Sequence, residues 1–421
     1  MFAPVRYLVI LLASGGAASR VAAQAAAPAG MAPAGFSAAG LARVDSAMQA
    51  FVDAGKLPGI VAAIAKNGRV VHWKAYGKRS VEAADPMEPN DLFRIYSMTK
   101  PITSVAAMIL VEEGRIGLDD PVAKHLPVFA PVQVWTPTGL VPPKRPMTVR
   151  DLLRHTSGLS YGLFGETPVD SLYRKANLLT PARDLGQVVA EIAKLPLLGH
   201  PGELWNYGMS TDVLGRVIEV VSGQTLAEFF EQRIFRPLKM EDSFFEVPAE
   251  KRDRFTGYYA RLPSGKFFLA DSPDTGSYTR RPAQYLGGSG LVSSASDYLR
   301  FAQMIQNGGE LDGVRILRKK TVTEMTKNQL PPALIPIGFG KNKIAGTTFG
   351  LGFSIVVDQL APPEGPMGRA GWSGYANTFF WLDPTRQIVG LVMTQFFPFQ
   401  AQPIDADFRR LLYAAQDGEK P

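Results

Sequence analysis

Two β-rich runs flank Asn67-Gly68 in the segment GIVAAIAKNGRVVHWKAYG, residues 59–77. That dipeptide is the strongest short signal for a hairpin, because both turn positions need positive φ. Strand-like runs return only near the C-terminus, at 349–358, 376–384 and 387–396, the last two joined by a turn around Pro384. Between these ends, apolar residues recur at helical spacing in 104–115, 148–155, 184–195, 211–223, 225–235 and 297–309, separated by Pro/Gly-rich connections. Helices are also expected at 41–55 and 408–416. Sequence-adjacent strands favour antiparallel pairing, so the expected class is α+β: an antiparallel sheet flanked by terminal helices, with a large, mostly helical insertion.

The expected organisation follows. Residues 1–23 have Arg6, an apolar run from Tyr7 to about Ala13 and small residues up to Ala23, the layout of a signal peptide cleaved near Ala23. That predicts a periplasmic or secreted protein, and the run is too short for stable membrane insertion. Residues 24–37, rich in Ala, Pro and Gly, read as a linker. Residues 38–421 are expected to form one unit: a sheet subdomain of about 38–96 and 345–421 around a helical subdomain of about 97–344.

Composition removes several function classes. There is no cysteine, hence no disulfide, thiolate metal site or cysteine nucleophile. His72, His125, His155 and His200 are widely spaced and show no metal-ligand pattern, so no metal and no cofactor are expected. The net charge of +7 is spread without a basic run, which argues against a nucleic-acid partner.

Two serines compete for a nucleophile's role. Ser160 lies in Gly158-Leu159-Ser160-Tyr161-Gly162, a match to the G-x-S-x-G nucleophile elbow. An elbow needs a strand before it, a helix after it and a later histidine. Here TVRDLLRHTSG reads as a helix capped by Thr148, the following GLFGETPVD is loop-like, and His200 is the only later histidine. Context therefore makes Ser160 a turn residue. Ser97 lies in Ser97-Met98-Thr99-Lys100, the one S-x-x-K of the chain. Residues three apart share a helix face, so the Lys100 amine can reach the Ser97 hydroxyl. Pro101 is tolerated only in a first turn, which places Ser97 at a helix N-terminus.

Around this motif stand FRIYSMTKPIT, GRIGLDDPV (114–122), LLRHTSGL (152–159), PGELWNYGMSTDVLGRVIE (201–219), GGSGLVSSASDYLRFAQMI (287–305) and GWSGYANTFFWLDP (371–384). In this order they resemble the serine β-lactamase and penicillin-binding-protein superfamily, specifically the class C β-lactamase-like family VIII carboxylesterases, over nearly the whole mature chain. The resemblance implies that Ser97 is the acylated nucleophile, Lys100 its partner and Tyr207 the general base. A free phenol, with a pKa of about 10, needs a cationic neighbour for that work. It also places Trp372, Ser373 and Gly374 on the strand where β-lactamases carry K-T-G, and gives the oxyanion hole to the backbone N–H groups of Ser97 and Tyr375. His155 is read as structural support.

Two departures bear on substrate. Met209 replaces the asparagine of Y-x-N, and Trp372 replaces the K-T-G lysine. Both lost groups serve β-lactam binding or turnover, so the expected activity is hydrolysis of small-molecule carboxylic esters with short to medium acyl chains. A β-lactamase, a D,D-peptidase or D-aminopeptidase, another amide hydrolase and an acyltransferase are the alternatives within the same chemistry. A catalytically silent relative binding peptidoglycan or a protein is the alternative outside it. Oligomeric state is left open by the sequence.

Overall fold

The two ends of the chain meet in one sheet. In the computed structural model, which describes residues 35–180, 182–358 and 367–416, the Asn67-Gly68 turn has φ of 51° and 74°, the two positive values that a type I′ hairpin requires. The hairpin strands Gly59–Lys66 and Arg69–Gly77 form one edge of a seven-stranded sheet. Gly59–Lys66 pairs antiparallel with Ile388–Met393, in a register running from Val61 opposite Met393 to Lys66 opposite Ile388. Beyond it follow Thr378–Asp383, Ala370–Gly374, Ser354–Val356 and Thr347–Phe349, all antiparallel.

Alternation along Gly59–Lys66 explains the layers. Ile60, Ala62 and Ile64 point to one face, where they join Leu41, Val44, Met48 and Phe51 of helix Ala38–Asp53 and Ile404, Phe408 and Leu412 of helix Ile404–Ala414. Val61, Ala63 and Ala65 point to the other face, into the core shared with helices Thr99–Glu112 and Ala295–Gln306. Both faces are covered, which is why this strand is apolar from Ile60 to Ala65. The folded unit begins a little before the expected 38: Phe36 is fully buried and Ser37 caps the first helix through Gly40 N–H. The rest of the expected linker, and the expected signal peptide, lie outside the described residues.

Two expectations are corrected. The expected strand 349–358 is two strands, Thr347–Phe349 and Ser354–Val356, because the chain reverses at Gly350–Phe353 with Gly352 at φ 93°. The expected helix 225–235 is helical at Leu226–Phe230 and widens into a π turn at Glu231–Phe235. The insertion is mostly helical, as expected, and also carries short strands. Tyr258–Arg261 and Phe267–Asp271 form a hairpin whose first strand pairs in parallel with Phe396–Phe397. Its signal, two aromatic-rich runs around Leu262-Pro263-Ser264-Gly265, is local and legible.

One buried carboxylate fixes the loop that approaches the site. Asp151, fully buried, closes the N-terminal capping box of helix Val149–Leu153 with Thr148. It also accepts from Arg145 at 2.6 and 2.9 Å, from Arg154 at 3.1 Å and from the Thr156 hydroxyl at 2.7 Å. Burial pushes its pKa up, but these donors outweigh burial and hold it down at about 2. The folded pKa is below the unfolded one, so the stabilisation is complete above the ordinary carboxylate range and is lost as pH falls toward 2. We expect Asp151→Asn to cost about 2 kcal/mol near neutral pH. Melting curves of both proteins should converge as the solution is acidified below about pH 4; a gap independent of pH would contradict this account.

Candidate active site

Ser97 occupies the turn between a strand and a helix. Leu92–Arg94 is a short strand paired with Val292–Ser294, Tyr96–Met98 is one turn of 3-10 helix, and Thr99–Glu112 continues as α-helix. Tyr96, directly before the serine, has φ 42°, a left-handed conformation that costs a non-glycine residue energy and persists only where surroundings enforce it. The strand–turn–helix setting expected of a nucleophile elbow is therefore found at Ser97. Pro101 sits in the first turn of the helix, where its missing N–H costs nothing.

Lys100 Nζ, buried, donates to Ser97 Oγ at 3.1 Å and to the Gly288 carbonyl at 2.7 Å. It lies 4.6 Å from the centre of the Tyr207 ring and 5.4 Å from that of Tyr161. Asp212, also buried, accepts from Gly288 N–H at 2.8 Å and from the Tyr161 hydroxyl at 3.3 Å. Gly288 is thus held at both of its backbone polar groups, its N–H by the Asp212 carboxylate and its carbonyl by the lysine. Burial raises the Asp212 pKa, and the Lys100 charge and the two donors oppose that rise. Burial, and then Asp212, push Tyr161 well above the ordinary phenol value. Tyr161 is a fixed hydroxyl donor.

Tyr207 differs from Tyr161 in what its oxygen meets. The Trp372 indole N–H donates to Tyr207 Oη at 3.3 Å. The ring is walled by His155 at 4.8 Å, Phe339 at 5.3 Å, Trp372 at 5.4 Å and Phe164 at 5.9 Å between ring centres. His155 supports it from behind: fully buried, its pKa is driven well below the ordinary value by burial and then by Lys100, so it stays neutral. Its carbonyl accepts the Asn206 N–H at 2.9 Å, and Asn206 Nδ2 donates to the Leu159 carbonyl at 2.8 Å. These bonds join the loop after Asp151 to the segment carrying Tyr207.

Trp372, Ser373 and Gly374 lie on strand Ala370–Gly374. A side chain at Gly374 would meet the Ile95 carbonyl oxygen at 2.2 Å, so only glycine lets this strand approach the backbone leading into Ser97. The next residue, Tyr375, is brought alongside, its ring 6.0 Å from that of Tyr96. Met209 is buried, and supplies no polar group. Ser97, Lys100, Tyr207, Trp372 and the Gly374–Tyr375 segment converge; Ser160 does not join them as a free hydroxyl. Its Oγ donates to Asp170 Oδ1 at 2.6 Å and accepts Gly162 N–H at 2.9 Å.

Sequence reasoning missed Tyr161 and Asp212. Tyr161 was set aside with the pentapeptide that contains it. Asp212 lies within PGELWNYGMSTDVLGRVIE, and its signal is a lone carboxylate in the first turn of the apolar helix Ser210–Ser222. An open cleft of about 790 Å3 lined by Lys144, Arg145, Glu203, Glu324 and Lys327 includes none of these site residues. Its charges are already paired: Lys144 with Glu203, Lys327 with Glu324, Arg145 with Asp151.

The sequence pattern of the Beta-lactamase family matches residues 44–414. Protein Rv1367c of Mycobacterium tuberculosis is 32% identical over 363 residues, covering 84% of this chain and 89% of that protein. Esterase EstB of Burkholderia gladioli is 30% identical over 400 residues, covering 89% and 95% respectively. Among solved structures, EstCE1, described as a hydrolase with promiscuous acyltransferase activity, superposes with a TM-score of 0.76 at 28% identity, covering 89% of this chain and 98% of that one. Sequence, fold and the seating of Ser97 agree: the chain belongs to the β-lactamase family and is an enzyme of the serine β-lactamase and penicillin-binding-protein fold.

Proposed function

We propose that the chain is a serine carboxylesterase that cleaves small-molecule esters of short to medium acyl chains by two-step acyl transfer. The observation that carries this reading is the contact of Lys100 Nζ with Ser97 Oγ beneath Tyr207, whose oxygen receives the Trp372 N–H. Tyr207, as a phenolate favoured by the Lys100 cation and that N–H, takes the Ser97 proton as Oγ attacks the ester carbonyl. The backbone N–H groups of Ser97 and Tyr375 hold the oxyanion. Tyr207 returns the proton to the departing alkoxide, leaving an acyl-enzyme on Ser97. A water, deprotonated by Tyr207, attacks the acyl carbonyl; the bond to Ser97 Oγ breaks, the acid departs, and Tyr207 returns the proton to Oγ. Tyr161 has no base role, because its proton is committed to Asp212.

Substrate choice follows from what lines the site. Trp372 and Met209 leave no cation or amide where a β-lactam carboxylate would bind, and the walls are aromatic. Such walls also hold an apolar alcohol, which could replace water in the second step; EstCE1 is described as having promiscuous acyltransferase activity. The N-terminal layout around Arg6 and Ala23 supports export to the periplasm or medium.

p-Nitrophenyl butyrate and nitrocefin test the substrate assignment. We expect kcat/KM for the ester to exceed that for nitrocefin by roughly a hundredfold or more, and a nitrocefin rate equal to or above the ester rate would overturn the assignment. Tyr207→Phe should lower kcat by about two to four orders of magnitude. Ser160→Ala should keep kcat/KM within about twofold while lowering stability by about 1–2 kcal/mol, since Asp170 loses a buried donor. A Ser160→Ala protein that folds but has no activity would contradict the division of roles.

A further inference from the structure

Four aromatic side chains are exposed among the described residues: Phe164, Phe268, Tyr375 and Phe397. Phe164 stands over Tyr207. The other three form a strip that runs up to Tyr96, the residue before Ser97. Tyr375 is half exposed, and its ring centre is 5.6 Å from that of Phe397 and 6.0 Å from that of Tyr96. Phe397 is directly opposite Ala260, and Ala260 directly opposite Phe268, across the sheet of Phe396–Phe397, Tyr258–Arg261 and Phe267–Asp271. Cross-strand partners share a face, so these three side chains stand in a row. Their neighbours Phe396, Tyr259 and Leu269 share the opposite face and pack into the core.

Large apolar side chains gathered on a surface mark contact sites, whereas isolated ones do not. This row is continuous with the nucleophile: Phe397 to Tyr375, then Tyr375 to Tyr96, the residue before Ser97. Between the exposed rings of Phe397 and Phe268, the small Ala260 leaves a shallow trough. Strands lie about 4.8 Å apart, so the strip reaches roughly 15 Å from Tyr375. Around Tyr207, by contrast, Trp372, Phe339, Phe349, Trp205 and Phe164 crowd together, neighbouring ring centres lying 5.1–6.2 Å apart.

We infer that the Tyr375–Phe397–Ala260–Phe268 strip is an extension subsite that receives a long or flat apolar arm of the ester, beyond the reach of the aromatic pocket at Tyr207. The inference rests on the ester-hydrolase reading and adds the substrate class: esters with one small arm and one extended apolar arm. The arm lies on rings that offer area at low cost in side-chain entropy, and its burial removes apolar surface of both partners from water.

Two substrate series decide it. Acyl reach is varied with p-nitrophenyl acetate, butyrate and decanoate; alcohol reach is varied with phenyl acetate and 4-phenylphenyl acetate. In the native protein, one series should favour its longest member in kcat/KM. In that series, Ala260→Glu, which fills the trough with a charge, should cut the long-to-short ratio about fivefold or more, mainly through KM. The double substitution Phe268→Ser/Phe397→Ser should do the same, and serves if Ala260→Glu does not fold. Leu140→Ser, which removes an equally exposed apolar side chain outside the strip, should leave the ratio unchanged. Ratios unmoved in both series by the strip variants would overturn the inference while the hydrolysis of short esters leaves the esterase reading standing. A native protein that hydrolyses no ester would overturn both.

Discussion

A buried lysine organises this molecule's site. Lys100 has almost no contact with solvent, and a buried amine is stable only with acceptors and counter-charge around it. The protein supplies them from the Ser97 hydroxyl in the same turn and from three distant segments: the Gly288 carbonyl, the face of Tyr161, and the segment bearing the Tyr207 ring and Asp212, the latter behind Gly288. Each of these must be placed for the lysine to be tolerated, so the fold that buries Lys100 also assembles the nucleophile and its base. His155, held neutral beside it, adds no competing charge.

The supports reach outward from that centre. Thr99–Glu112 carries Lys100 on the inner face of a sheet that exists only because Gly59–Lys66 pairs with Ile388–Met393. Two strands further along the same sheet, Ala370–Gly374 brings Trp372 to Tyr207 and Gly374 against Ile95. Asp151 fixes the loop 154–162 from the other side. Replacing a K-T-G lysine by Trp372 changes more than substrate charge. The indole occupies the strand position facing Tyr207 and supplies an N–H to its oxygen, so one residue both removes a carboxylate anchor and serves the base.

Much of this was legible in the sequence. The Asn67-Gly68 hairpin, the antiparallel α+β class and the Ser97–Lys100 pair follow from local rules of turn chemistry and helix spacing. The pentapeptide at 158–162 shows the limit of a motif without context: Ser160 is tied to Asp170, yet its neighbour Tyr161 belongs to the lysine's surroundings. Neither Tyr161 nor Asp212 was identified, because their partners lie 51 and 76 residues away and no periodicity reports such contacts. The reversal at Gly350–Phe353 was missed for another reason: an apolar run broken by glycines reads as one strand until the backbone turns.

The central claim is that acyl transfer runs through Ser97. Inactivation with a fluorophosphonate, followed by peptide mass spectrometry, locates the attacked hydroxyl directly. The account predicts one adduct, on the peptide containing Ser97, formed in step with loss of esterase activity and much more slowly in Lys100→Ala. An adduct on Ser160, or full inactivation with Ser97 unmodified, would contradict it.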